Sequence, residues 1–365
     1  MFRKLNWGII IPVLLLLAIG WILVLSSSTY YAMHQFSSQN RFMFVRSHSI
    51  YIVLGLVIMF IAYKVNYRIY DNIVLVGLLC GGAVLLMMMT FAFDIGKEAH
   101  RWIVIGSQTF MPVDIAKVAL VFGMAYSLTH FRANKNKFIA LIVQSTFPLL
   151  LITITYFQPH FSSVMILSLT FGVMMLIGFN SPTLVFSMAG GMVAALLATV
   201  TLGGYRVYRL ESFRAGLENI DAASDQVRYS VLAISSGGLF GLGAGKSVFN
   251  KMYIPEPHND MIMSTLGEEF GLIGNLAVLL LMFILIWNLI RVAARSKTEF
   301  GRLVVLGITS IIFFQMTINM TTALGIGPPT GVPLPFISYG GTNLLVLLAL
   351  IGVALNIHEV DTVGH

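Results

Sequence analysis

The chain contains a single cysteine, Cys80. No disulfide can form within it, so cysteine usage says nothing about the redox compartment. Charge is also scarce: 10% of the residues are Asp, Glu, Lys or Arg, against about 25% in an ordinary soluble domain. No repeat of fixed period and no low-complexity tract is present, which argues against solenoids and disordered linkers. What fills the chain instead is apolar, 57% of its 365 residues. A single soluble core does not absorb that much apolar surface, because large chains divide into domains rather than enlarge one core. A lipid bilayer absorbs it.

The longest charge-free stretches make the same point. Lys137 and Arg206 bracket 68 residues without Asp, Glu, Lys or Arg, and Arg302 and Glu359 bracket another 56. A helix needs about 20 apolar residues to cross the hydrocarbon core, so each stretch holds several spans. Backbone in lipid must satisfy its own hydrogen bonds, which makes helix the default. The expectation is one all-α polytopic membrane domain over 1–365. It has ten transmembrane helices, near 7–27, 48–64, 73–93, 112–130, 138–156, 161–179, 183–202, 262–290, 303–324 and 341–357. A long extracytoplasmic loop, 203–260, joins the seventh and eighth. The first apolar run is long for a signal peptide and lacks a clear cleavage site, so it reads as a retained span.

The net charge of +7 does not imply nucleic acid as a partner, because Lys and Arg gather in cytoplasmic loops of membrane proteins. The short loops on one side carry eleven basic residues, among them Lys64, Arg68, Arg132, Arg291 and Arg302. The other side carries four: Arg41, Arg46, Lys97 and Arg101. This bias puts both termini in the cytoplasm and 203–260 outside.

Several constellations could carry chemistry. Pro255-Glu256-Pro257-His258-Asn259-Asp260 precedes the eighth span. Asn259 or Asp260 there is either a helix cap or, for Asp260, a general base tuned by partial burial. Asp114 and Lys117 share one face at the start of the fourth span, as a structural ion pair or as part of a site, since charge at membrane depth is costly. Arg101 and Trp102 suit either an interfacial anchor or a phosphate contact. Arg206 and Arg209 lie on one face of an amphipathic segment, against the membrane or beside an anionic lipid. Gly237–Ser247 ends like a phosphate-binding loop in Gly245-Lys246-Ser247. The full motif needs glycine where Phe240 stands, and it needs a nucleotide domain, so nucleotide binding is excluded. Gly325–Gly341 holds four prolines and five glycines and cannot be regular helix. It must be a shaped re-entrant or surface loop.

These last motifs, GGLFGLGAGKS, YIPEPHND and GEEFGLIG between Gly237 and Gly274, and TGVPLPFISYGG ending at Gly341, resemble the SEDS family (shape, elongation, division and sporulation) over nearly the whole chain. PEPH and the Lys246-Ser247 ending look more like the division branch, FtsW, than the elongation branch, RodA; the sporulation branch, SpoVE, is close. The resemblance implies ten spans and a peptidoglycan glycosyltransferase that polymerises lipid II at the outer membrane face. It implies a class B penicillin-binding protein as partner, with other divisome or elongasome membrane proteins. The family's essential carboxylate falls on Asp260. Its acid and lysine fall on Asp114 and Lys117, and its Arg-Trp pair on Arg101 and Trp102. Lys246, His258, Ser338, Arg206 and Arg209 complete the expected substrate-binding set. A divalent cation, Mg or Mn, could share the pyrophosphate charge, though no ligand cluster demands one. The chain departs from the family in three places: Asp114 for Glu, His160 where Gln-Pro-Asp has its acid, and Ser162-Ser163 for Gly-Thr. A lipid II flippase, or a non-catalytic scaffold for a synthase, would use the same spans.

Overall fold

The computed structural model describes residues 5–35, 41–92, 101–105, 108–131, 137–158, 160–179, 181, 182, 186, 190 and 205–363. Among them, nine helices are long and apolar enough to cross a membrane. They are α1 (Trp7–Gln35), α2 (Met43–Lys64), α3 (Ile73–Ala92), α4 (Pro112–His130), α5 (Lys137–Phe157) and α6 (Phe161–Gly178), then α9 (Ile262–Arg295), α10 (Glu299–Ala323) and α11 (Gly341–His358). The expected seventh span, 183–202, falls almost wholly outside the described residues. Two further helices, α7 (Tyr205–Glu218) and α8 (Asp225–Ser236), lie within the segment expected as the long loop.

The sequence explains most boundaries. Pro112 opens α4 at its first turn, where a missing N–H costs nothing. Thr298 caps α10, its hydroxyl accepting Gly301 N–H at 3.0 Å. The first helix outruns its expected end at 27 by two turns. Its hydroxyl run does not stop it, because Ser27, Ser28 and Thr29 donate to the carbonyls of Leu23, Val24 and Leu25 in their own helix. One short hairpin departs from the all-helical expectation. Strands β1 (Ile103–Ile105) and β2 (Gln108–Phe110) pair antiparallel with Ile103 opposite Phe110. They sit between α3 and α4, where β-branched residues cluster.

The helices pack α2 on α11, α1 on α9 and α3 on α4, while α10 touches α4, α6 and α9. Helix α10 is the most buried of the candidate spans. Apolar rows stay exposed on the outer helices, such as Val53 and Phe60 on α2, Leu78 and Leu85 on α3, and Leu276 and Leu280 on α9. In water such rows would be a liability; against acyl chains they are the expected surface. At the end of the bundle that holds the α2–α3 and α9–α10 turns, the C-terminal segment is clamped. Asp361 accepts the Tyr67 hydroxyl at 2.7 Å, the Ser296 hydroxyl at 2.6 Å and Lys297 N–H at 3.1 Å.

Helix α9 is not the single straight span that the sequence suggests. Gly271 breaks it with φ 68° and ψ −163°, a conformation essentially confined to glycine. Residues Ile262–Glu269 before the break are buried within protein, and the lipid-facing row starts at Leu272. A Cβ on Gly271 would sit 2.5 Å from both Gly241 N and Leu239 O. Gly271→Ala is therefore expected to cut the yield of monodisperse protein several-fold in detergent chromatography. Gly81→Ala on α3, where a Cβ meets nothing within 4 Å, should behave as wild type.

Candidate active site around Asp260

Asp260 ends a tight turn. Glu256 takes φ 46°, Asn259 N–H donates to Glu256 O at 3.0 Å, and the Asn259 amide donates to the Glu256 carboxylate at 2.6 Å. Neither Asn259 nor Asp260 caps α9, contrary to the capping alternative. The N-cap is Met261, with no side-chain hydrogen bond. Asp260 is half-buried, its Oδ2 accepts the Gln226 amide of α8 at 3.1 Å, and its main-chain oxygen accepts the Asn319 amide of α10 at 2.6 Å. The same Asn319 nitrogen reaches Val332 O at 2.7 Å. One buried amide therefore holds both the acid's backbone and the loop 325–340. Gly331 on that loop faces Asp260, and a Cβ there would lie 3.9 Å from its Oδ2.

His258 secures the turn from behind. Its ring is 1% exposed and packs among Phe44 (4.4 Å), Tyr31 (5.2 Å) and Tyr339 (5.5 Å), while its carbonyl accepts Tyr339 N–H at 2.9 Å. Burial, with a smaller contribution from nearby His48, lowers its pKa to about 3. The ring is neutral at physiological pH and acts as an apolar pin.

The loop from Gly325 turns into the bundle. Phe336 is buried with φ 64°, and the Ile337 backbone lies against Gly20 of α1, where a Cβ would come within 2.6 Å of Ile337 O. Ser338 is buried, and its hydroxyl accepts Leu334 N–H at 2.8 Å, closing that turn. The loop then delivers Thr342 and Asn343, at the start of α11, to α4. Lys117 Nζ donates to Asp114 Oδ1 at 2.8 Å and to Asn343 Oδ1 at 3.3 Å; Thr342 donates to Asp114 Oδ2 at 2.8 Å; Gln315 donates to Asn343 Oδ1 at 3.0 Å. The paired side chains are 3% and 5% exposed. Gln315 and Asn319 are four apart on α10, one turn, so consecutive turns of one buried helix hold the ion pair and the Asp260 turn.

The Gly-rich segment supports Asp260 from the other direction. Leu242 N–H and Gly243 N–H donate to Glu268 O and Glu269 O, at 2.9 and 3.0 Å. The buried Glu268 carboxylate accepts Val248 N–H at 2.6 Å, Phe249 N–H at 3.1 Å and the Ser247 hydroxyl. Glu269 accepts the Ser26 hydroxyl of α1. The Glu268 carboxylate thus holds the strap that leads to Pro255, while Oε2 of Glu269 is buried with no hydrogen-bond partner among the described residues. Lys246 beside them is exposed.

Arg101 and Trp102 lie just before β1. Arg101 Nε donates to Gln158 O at 3.2 Å, and the buried Gln158 amide donates to Met87 O and Thr90 Oγ1 at 2.9 and 2.8 Å. This binds the ends of α3 and α5. His160, in place of the family's acid, is buried at the start of α6. Arg206 and Arg209 lie in α7; their side chains fall outside the described set. Among the described residues no three His, Cys, Asp or Glu side chains converge. Reading the sequence misses Gln226, Gln315, Asn319, Thr342 and Asn343. Gln315 and Asn319 had a signal, two amides at helical spacing within a charge-free span; Gln226 on its loop helix had none.

A family model described as "Cell cycle protein", for FtsW, RodA and SpoVE, matches residues 6–362. A protein of Geobacter sp. (strain M18) described as "Probable peptidoglycan glycosyltransferase FtsW" is 32% identical over 359 residues, covering 96% of this chain and 95% of that one. "Stage V sporulation protein E" of Bacillus subtilis (strain 168) is 31% identical over 358 residues, with the same coverage of each. Among solved structures, a chain of a peptidoglycan synthase complex that coordinates polymerization and crosslinking superposes with a TM-score of 0.77 at 22% identity, covering 99% of both chains. The Thermus thermophilus rod shape determining protein RodA superposes with a TM-score of 0.70, also at 22% identity, covering 99% of this chain and 98% of that one. The two superpositions show that this chain shares their fold over nearly its whole length.

Proposed function

This chain belongs to the FtsW/RodA/SpoVE family of cell cycle proteins, and from that premise we infer a peptidoglycan glycosyltransferase that polymerises lipid II at the outer face of the cytoplasmic membrane. The observation that carries the mechanism is the Asp260 carboxylate, held by its backbone through Asn319 and oriented by Gln226 instead of capping α9. Asp260 takes the proton of the acceptor's sugar 4-hydroxyl. That oxygen bonds to the anomeric carbon of the growing chain as the bond from that carbon to the pyrophosphate oxygen breaks, and lipid pyrophosphate leaves. Arg101, Lys246, Arg206 and Arg209 are the candidates for offsetting its charge. Lys117 is buried and paired and acts from inside the wall. His258 and Ser338 position the turn and the loop behind Asp260.

The excess of Lys and Arg in the loops beside the termini supports a cytoplasmic location for both ends. A class B penicillin-binding protein is the proposed partner, supported by the likeness to a chain from a synthase complex. The deciding assay is purified protein with labelled lipid II and no partner. Glycan strands on a gel are the expected product. Leaflet exchange of lipid II without polymer would make the chain a transporter, and no product of either kind would leave it a scaffold.

Gln226 supplies a sharper check. A hydrogen bond to a charged group contributes about 1.5–3 kcal/mol, so Gln226→Leu should lower kcat by roughly 10- to 100-fold. KM and the thermal midpoint should stay near wild type, and Gln226→Asn should recover part of the rate. An unchanged kcat would remove Gln226 from the site.

A further inference from the structure

Phe240 is 79% exposed, more than any other large apolar side chain among the described residues, and its neighbour Leu239 is 60% exposed. Leu242 is exposed as well. This tip is not a floppy excursion. Gly241 N–H donates to Gly237 O at 2.8 Å, while Leu272 N–H and Ile273 N–H donate to Gly238 O and Leu239 O at 2.9 and 3.2 Å. Gly238, Gly241 and Gly243 take positive φ, and a Cβ on Gly241 would fall 2.2 Å from Glu269 O. The backbone is thus locked against the break in α9 with two large apolar side chains held outward. The protein offers them no cover.

Their position says what covers them. The same hydrogen bonds join the tip to Leu272 and Ile273, the first members of the exposed apolar row that continues through Leu276 and Leu280 down α9. That row faces acyl chains, so the tip extends an existing lipid surface by one more step. On its polar side stand Lys246, exposed, and Lys251, whose Nζ donates to Gly245 O at 2.8 Å. An apolar wedge flanked by lysines is the composition of a segment seated where acyl chains meet anionic headgroups.

We propose that Leu239–Leu242 is a rigid wedge inserted into the membrane leaflet on the Asp260 side of the bundle, with Lys246 and Lys251 at the headgroup phosphates. The wedge is bonded to Glu268 and Glu269, and Glu268 in turn binds the strap at Val248 and Phe249. Seating the wedge therefore fixes the height of the Asp260 turn relative to the bilayer.

Cys80 is the chain's one cysteine, which makes a labelling test direct. In a Cys80→Ala background, Phe240→Cys and, separately, Lys246→Cys carry a nitroxide in vesicles of phosphatidylethanolamine and phosphatidylglycerol. Collision with oxygen and with a water-soluble nickel chelate is read by electron paramagnetic resonance. The wedge requires the label at 240 to collide with oxygen several-fold more than with nickel, and the label at 246 to do the reverse. Equal nickel access at 240 and 246 overturns it and turns the tip into a surface for a protein partner. Should Phe240→Cys fail to fold, Leu239→Cys carries the same expectation. The readout needs no enzymatic activity, so it stands or falls apart from the assigned reaction.

Discussion

Asp260→Asn is expected to abolish glycan polymerisation, with a rate loss of about 10²- to 10⁴-fold, the usual contribution of a positioned general base. Asn keeps the size and the polarity of the side chain but cannot take the acceptor's proton. The fold should survive. What anchors this residue to the bundle is its main-chain oxygen, bonded to Asn319, and that bond does not depend on the side chain. The neighbouring turn is held by the Asn259–Glu256 bond and by the buried His258 ring, which are equally untouched. Wild-type elution volume and thermal midpoint, retained binding to the proposed penicillin-binding partner and a lost polymer ladder together support the assignment. A variant that makes glycan at wild-type rate would remove Asp260 as the base, whatever its fold.

Lys117→Met should be strongly destabilising. Its ammonium lies 2.8 Å from Asp114 Oδ1, with both side chains almost fully buried. Removing the cation leaves a buried carboxylate with only the Thr342 hydroxyl among the contacts described above. Breaking a buried pair from one side costs about 3–5 kcal/mol, so the thermal midpoint in detergent should drop by many degrees. Neutralising both members, in Asp114→Asn with Lys117→Met, removes the stranded charge and should restore most of the midpoint. Polymerisation is the discriminating readout. If Lys117 also offsets substrate charge, the double variant stays slow while folded. If it polymerises at wild-type rate, the pair is a structural clasp between α4 and α11.

Part of this architecture was legible in the residues alone. Apolar runs of span length, bounded by basic loops, locate nine described helices to within a few residues at most ends, because in lipid the chain has almost no alternative to helix. The motifs near Asp260 pointed to the loop that carries the candidate acid. Helix α1 overran its expected end because its hydroxyls are satisfied inside the helix. The hairpin before α4 escaped because its strands are only three residues each. Asp260 was ambiguous between cap and base because both uses begin with the same Asn-Asp placed before a helix. The structure gives the N-cap position to Met261.

By itself the sequence determined that this is a polytopic membrane protein, since composition and periodicity are local properties that a bilayer reads directly. Tertiary structure decided which polar groups meet. Gln226 and Asn319 reach Asp260 from helices 34 and 59 residues away in the chain. Thr342 and Asn343 close on Asp114 and Lys117 across more than 200. Such pairings depend on how buried helices pack. In a low-dielectric interior each polar group must find a partner or incur a large cost, and the partner that satisfies it is set by the fold, not by its neighbours in sequence.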